Sequence, residues 1–368
     1  MSISRMRDVF LQLLRADSPF SHEKPTADIV TAFLDEHNVH WREDQTARQT
    51  GCDTGNIIVA GAGKARLCFC AHMDTIRIYD RPSIIEGEGV IRAQGGGVMG
   101  ADDKSGVAVL LESIVRMREQ GDLPQDIHFL FTVSEEEGFL GAKYVDERHF
   151  KDAYAFVVDS AGAPIGHVVT KGVGQYRFEM TVTGRMSHTS SRGKGVSAIL
   201  CAAEMLCKLP ASHQPGEVFV NIAHIHSHGN PNTVPEKVFV SGQVLYYDQR
   251  AAKRIMDEME NVAMGCAKRR GAVLEFRSEL QCEPFTVQDT DGIVRYARTA
   301  AREAGLDFHT GQTGAGSDAH MFAQRGGNAI KIATGMKNVH SRDEHISLRD
   351  MEECVRYILA LAGFEKKK

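Results

Sequence analysis

Gly95-Gly96-Gly97-Val98-Met99-Gly100-Ala101-Asp102-Asp103-Lys104-Ser105-Gly106 leads from a polar stretch into an apolar pattern with helical spacing. Glycines ahead of a helix can cradle a phosphate on backbone N–H groups. Here that reading fails in detail, because a P-loop needs glycine directly before its lysine and Asp103 stands there. Two carboxylates would also occupy the space the phosphate must fill. The pair suits a cation instead. Ser105 reads as the N-cap of a helix running to about Met117.

Outward from this stretch, short apolar runs alternate with helical ones. Arg5–Arg15 and Lys24–His37 carry apolar residues at helical spacing, and Asn56–Ala60 and Leu67–Ala71 read as buried strands. The second of these strands runs straight into His72-Met73-Asp74. Downstream, Ile127–Val133 is a strand ending at Ser134-Glu135-Glu136-Glu137-Gly138, and Ala155–Val158 is one ending at Asp159-Ser160. Each strand delivers polar residues at its carboxyl end. This is the grammar of an α/β domain with a mostly parallel sheet, whose ligands bind beyond the strand ends.

From about Lys171 the texture changes. Gln175–Thr183 is a strand, Val196–Lys208 a helix, Val218–His226 and Val238–Tyr247 strands, Ala251–Arg269 a helix and Ala272–Leu280 a strand. The β-α-β-β-α-β order predicts a ferredoxin-like α+β unit. The first texture then resumes with helix Gly292–Ala304, strand Ala329–Ala333 and helix Leu348–Phe364, so the ferredoxin-like unit is an insertion. No internal repeat or low-complexity linker stands out.

Composition narrows the function classes. The 368 residues are 42% hydrophobic and 25% charged, as in a soluble globular protein, and exceed one typical domain. A net charge of -5 makes no electrostatic case for a nucleic-acid partner, and the terminal Lys366-Lys367-Lys368 reads as a solvated tail. No apolar run reaches the roughly 18 residues of a membrane span, so no membrane partner is expected. The eight cysteines show no Cys-x-x-Cys; Cys68 and Cys70 share one strand face and read as buried thiols of a reducing, cytoplasmic compartment.

The polar residues at the strand ends are His72, Asp74, Asp102, Asp103, Glu135, Glu136 and Asp159, and the loop Asn338–His345 adds histidine after the strand Ala329–Ala333. Imidazole and carboxylate together suit zinc or a similar divalent ion. Two ions about 3.5–4 Å apart need a shared carboxylate, and this inventory suffices for two such positions with a carboxylate left over as a base. Any one cluster alone is more often structural. Four at successive strand ends of one domain point to a metal site.

At this point the chain resembles a family. His72-Met73-Asp74, Gly100–Gly106, Glu135-Glu136-Glu137-Gly138, Asp159 and the histidine of Asn338-Val339-His340-Ser341 look like the successive motifs of the peptidase T / carboxypeptidase G / aminoacylase metallopeptidases. Gly314–Ala319 and Gly335–His340 look most like the peptidase T branch. The resemblance implies a mostly parallel-sheet catalytic domain at 1–172 and 284–368, interrupted by a ferredoxin-like lid, of the dimerisation type, at 173–283. It implies that His72, Asp102 and Asp159 bind one metal and that Asp102 bridges to a second held by Glu136 and His340. Glu135 is then the general base and Asp74 the partner that orients His72. Asp103 would help hold the loop, and Lys104 would pair with a neighbouring carboxylate.

The same resemblance makes His188, in Gly184–Ser190, the lid histidine that stabilises the tetrahedral oxyanion, supplied by the partner subunit in dimeric relatives. Asn232 resembles the family's substrate-binding asparagine. Many relatives carry a lid-strand arginine for the substrate carboxylate; the register places Leu245 there, and Arg250 lies just past the strand. His224, His226 and His228 alternate and are read as lid surface rather than as a metal site. The implied activity is amide hydrolysis of short peptides, foremost an aminopeptidase on tripeptide-like substrates working through a metal-bridging hydroxide. An N-acyl amino acid deacylase is the alternative, and a non-catalytic relative is further off. Two divalent ions, Zn or else Co or Mn, and a homodimer through the lid complete the expectation.

Overall fold

The computed structural model describes residues 2–95, 97–191, 193–210, 212–214 and 217–364; Gly96 and the terminal Lys366-Lys367-Lys368 run lie outside the described residues. At its centre are four parallel strands in the spatial order Ile127–Thr132, Leu67–His72, Tyr154–Ser160 and Asn328–Ala333. Antiparallel strands flank them, Ile57–Val59 on one side and His167–Gly172 on the other. Every residue of Leu67–His72 and Ile127–Thr132 is buried, as expected of parallel strands covered on both faces. Leu67, Phe69 and Ala71 join the main apolar core, where the helix Ala101–Gln120 also packs. Cys70 turns to the opposite face, its thiol 3.4 Å from Asp318 Oδ2. All eight cysteines are free thiols, and only Cys207 is exposed.

The helix Ala101–Gln120 corrects one expectation. Ser105 is not its cap; it lies inside the helix with its hydroxyl 3.7 Å from the Met336 sulfur. Asp102 and Asp103 have non-helical dihedrals, and the peptide between them is cis. Regular helix therefore starts after them, and Asp103 caps it, Oδ1 accepting the Gly106 N–H at 3.1 Å. Gly100 ahead of the pair holds φ +80, a conformation glycine adopts without steric cost.

A small three-stranded sheet was not foreseen. Ile84–Gly87 and Val90–Ala93 form a hairpin, and His345–Ser347 adds to Val90–Ala93. Its turn, Glu88-Gly89, has both residues at positive φ, which right-twisted hairpins favour. Glu-Gly is a weak turn signal beside Asn-Gly, and the flanking strands are only half apolar.

The chain divides into two units, one of Met1–Lys171, Thr286–Thr313 and Ser317–Lys368, the other of Gly172–Phe285 and Gly314–Gly316. In the second, Gly174–Thr183, Val218–His226, Lys237–Tyr246 and Val273–Cys282 pair antiparallel, with the second strand beside the third, the third beside the first and the first beside the fourth. With Ala198–Leu206 and Gln249–Arg270 packed on this sheet around Phe178, Met180, Val244, Tyr246 and Met259, this is the ferredoxin-like arrangement. Among the described residues, no helix is long and apolar enough to cross a membrane.

Candidate metal centre

Five chain segments of the first unit, the loop that carries His340 among them, bring their polar residues together beyond the carboxyl ends of the parallel strands. His72 ends Leu67–His72, Asp159 lies near the end of Tyr154–Ser160, Glu135 and Glu136 follow Ile127–Thr132, and Asp102 follows Gly100. Their donor atoms form two groups, His72 with Asp102 and Asp159, and Asp102 with Glu136 and His340; within each group the atoms lie within 4.8 Å of one another. Asp102 belongs to both. Its Oδ1 is 3.2 Å from His72 Nε2 and its Oδ2 is 3.4 Å from His340 Nε2. His340 Nε2 is also 2.9 Å from Glu136 Oε1. Glu135 belongs to neither group; its Oε2 stands 3.9 Å from His72 Nε2.

Neighbouring side chains hold these residues in place. His72 Nδ1 lies 3.0 Å from the Asp74 carbonyl oxygen and 3.3 Å from its Oδ1. The Asp74 carboxylate also accepts the backbone N–H groups of Glu135 and Glu136, both at 3.0 Å. Asp74 thus fixes the imidazole and the two glutamates at once. Asp103 accepts from the His72 N–H at 3.3 Å, tying the glycine stretch to the strand. Lys104 departs from expectation: its ammonium donates to the Ala16 carbonyl oxygen at 2.7 Å, and among the described residues no carboxylate lies within ion-pair distance of it.

Two supporting residues were missed from the sequence. Glu344, 1% exposed, accepts the backbone N–H groups of Met99, Gly100, Ala101 and Asp102 at 2.5, 2.9, 2.8 and 3.4 Å. Its carboxylate clamps the turn that carries Asp102 to the loop that carries His340. Lys331, 4% exposed, places its ammonium 2.9 Å from Asp159 Oδ2. A lysine inside the apolar run Asn328–Ala333 was the available signal for the second. Glu344 had none, because only the fold shows that its loop doubles back on the glycine stretch.

The electrostatics are those of a crowded anionic cluster. Burial pushes the Glu135 carboxyl well above its ordinary value; His72 opposes this, while Asp159 and Glu136 add to it. Glu136 and Asp159 are also raised, burial being the largest cause for each. Burial works against a charged imidazole at His340, yet the hydrogen bond to Glu136 and the charges of Glu136 and Asp102 raise it to about 9. His72 is likewise raised well above its usual range against the effect of burial, by Glu135, Asp102 and Asp74. Five carboxyl groups, those of Asp74, Asp102, Glu135, Glu136 and Asp159, converge on two imidazoles and one ammonium, leaving a deficit of positive charge. One imidazole nitrogen and two carboxylates per group are a donor set that zinc, cobalt or manganese accepts, so these residues fit a pair of divalent ions.

The residues expected to touch substrate lie in the second unit. His188 is exposed on Ser187–His188, which pairs antiparallel with Thr233–Val234, His188 opposite Thr233. The neighbouring Asn232 is exposed, and its carbonyl oxygen accepts the Thr189 N–H at 3.1 Å. His188 and Asn232 therefore share one corner of this unit. Leu245 is half-buried in Lys237–Tyr246 opposite Phe219, and Arg250 is exposed in the first turn of Gln249–Arg270. The three alternating histidines do not share a strand face. His224 and His226 are paired in regular register on one face, whereas His228 lies beyond the strand; His226 stacks on Phe239 with ring centroids 4.9 Å apart.

Comparison with known proteins bears on this site. A model of "Peptidase family M20/M25/M40" matches residues 68–363, a span that includes every residue of both donor groups. YqjE of Bacillus subtilis is 26% identical over 361 residues, covering 97% of each chain. Peptidase T of Shouchella clausii is 25% identical over 285 residues, covering 76% of this chain and 68% of its own. Among solved structures, the aminopeptidase PepT from Bacillus cereus is 27% identical with a TM-score of 0.76, covering 98% of this chain and 97% of that one.

Proposed function

The chain belongs to peptidase family M20/M25/M40, on its peptidase T-like side, and is a metallopeptidase; from that premise we propose that it is an aminopeptidase for short, tripeptide-like substrates that works with two divalent ions. The observation that carries this reading is Asp102, which turns one carboxylate oxygen to each of two histidine-containing groups. His72, Asp102 and Asp159 would hold one ion, and Asp102, Glu136 and His340 the other. When bound, the pair, zinc first with cobalt or manganese as alternatives, would polarise the scissile carbonyl and acidify the attacking water.

The chain's own residues do the rest. Glu135 is buried beside both groups without joining either, so its carboxylate is free to take the water's proton and deliver it to the leaving amine nitrogen. Asp74 keeps the His72 ring oriented and the Glu135–Glu136 backbone in place. His188 would donate to the developing oxyanion, Asn232 would bind the substrate backbone, and Arg250 would meet the substrate carboxylate that Leu245 cannot. A cytoplasmic homodimer joined through the inserted unit is part of the same reading.

A hydrolysis panel tests it: di- and tripeptides with free or blocked amino ends, beside N-acetyl amino acids, with the chain chelated and then reconstituted. Free-amine tripeptides should be cleaved best, with the activity lost to EDTA and restored by Zn, Co or Mn. Preference for N-acetyl amino acids would replace the peptidase with a deacylase. Glu135→Ala should lower turnover on the order of 10²–10⁴-fold while two ions per chain remain. Unchanged activity in that variant would remove Glu135 from the role of base.

A further inference from the structure

The two donor groups look equivalent by inventory. Each has one imidazole and two carboxylates, and they share Asp102. What separates them is Lys331. The strand Asn328–Ala333 runs parallel to Tyr154–Ser160 with Lys331 opposite Val157, and the lysine side chain reaches along the strands to the end where Asp159 stands. Its ammonium lies 2.9 Å from Asp159 Oδ2. Among the described residues, no other lysine or arginine comes within ion-pair distance of His72, Asp102, Glu135, Glu136, Asp159 or His340.

We propose that Lys331 makes the two ion positions unequal: the one framed by His72, Asp102 and Asp159 binds its divalent ion more weakly than the one framed by Asp102, Glu136 and His340. This rests on the two-ion reading above. Asp159 serves only the first group, and a fixed positive charge on one of its oxygens offsets the anionic charge which that group does not share. The ammonium cannot swing away when an ion arrives, because its strand is buried on both sides and 4% exposure leaves it no path to solvent. Repulsion between an ammonium and a dication at such separations is large in a buried setting and falls with distance, so the nearer position feels it more. Lys331 is thus a positioning residue acting through Asp159. A merely structural ion pair would stabilise the fold without distinguishing the two positions.

Ion affinity, measured by equilibrium dialysis of Zn²⁺ and Mn²⁺ against a competing chelator, separates these cases. The intact chain should show two dissociation constants at least about tenfold apart. His340→Ala leaves the Asp159 side, and there Lys331→Met should tighten the remaining ion by about tenfold. His72→Ala leaves the other side, where Lys331→Met should change affinity by no more than about twofold. Lys331→Arg, which keeps the charge, should behave like the intact chain, and it remains informative if Lys331→Met fails to fold. Equal constants in the intact chain, equal effects of Lys331→Met in both backgrounds, or weaker binding in the His340→Ala background would each overturn the inference and leave the two-ion reading standing. An intact chain that takes up no divalent ion would overturn that reading and the inference together.

Discussion

On the proposed two-ion reading, Asp102 would serve both cations through separate carboxylate oxygens, Oδ1 toward His72 at 3.2 Å and Oδ2 toward His340 at 3.4 Å. His72 and His340 approach different oxygens of it and do not share a group. Replacing Asp102 by alanine should therefore weaken both ions together, by roughly 100-fold or more, beyond what loss of an outer partner usually costs. His72→Ala or His340→Ala should mainly weaken one. Dialysis of the three variants decides the matter, and two tightly held ions in Asp102→Ala would end the shared role. Residues of this kind were legible in the sequence because each ends a strand or opens a loop in a short polar signature. Lys331 and Glu344 were not, because their effect depends on which strand or turn their long side chains meet. Glu344 lies 244 positions from Gly100, and only folding brings its carboxylate onto four successive N–H groups.

At the scale of elements, the helix Ala101–Gln120 sets how closely the site is assembled. A glycine in a helix interior is ordinarily about 0.5–1 kcal/mol worse than alanine, so propensity alone makes Gly106→Ala a stabilising change. The packing argues otherwise. A Cβ at Gly106 would come 2.3 Å from the Val158 carbonyl oxygen and 2.4 Å from Asp103 Oδ1. Val158 is backbone of the strand that carries Asp159, and Asp103 ties the helix start to His72, so neither yields without moving a proposed ligand. Gly106→Ala should lower stability by about 1–3 kcal/mol, as overpacking does, and weaken ion uptake along with it. A urea midpoint at or above that of the parent chain would show that the helix does not press on the strand as described. Local propensity favours Ser105 as the cap, but Asp103 Oδ1 accepts the Gly106 N–H and so takes the capping role two residues earlier. The long helices and buried strands were legible because their apolar periods are strong, whereas the hairpin Ile84–Ala93 rests on a Glu-Gly turn and half-exposed strands.

At the scale of the whole molecule, the β-α-β-β-α-β order made the insertion legible, since an apolar pattern that stops near Lys171 and resumes near Gly292 leaves few other topologies. The two units carry separate apolar cores, one around Phe69, Val109 and Ile330, the other around Phe178, Val244 and Met259. All five proposed ion ligands belong to the first. An ion that binds only the folded form stabilises by RT ln(1 + [L]/Kd), about 2.7 kcal/mol when free ion is at 100 Kd. That stabilisation should reach the first unit and bypass the second. For a unit of this size each kcal/mol moves Tm by about 2–4 °C, so a single bound ion should contribute roughly 5–10 °C. Calorimetry with and without EDTA is expected to resolve two transitions, one lowered by chelation and one unmoved, and Asp102→Ala should abolish the difference. A single transition that shifts as a whole would mean that the units unfold together despite their separate cores, so that ion binding stabilises the entire chain.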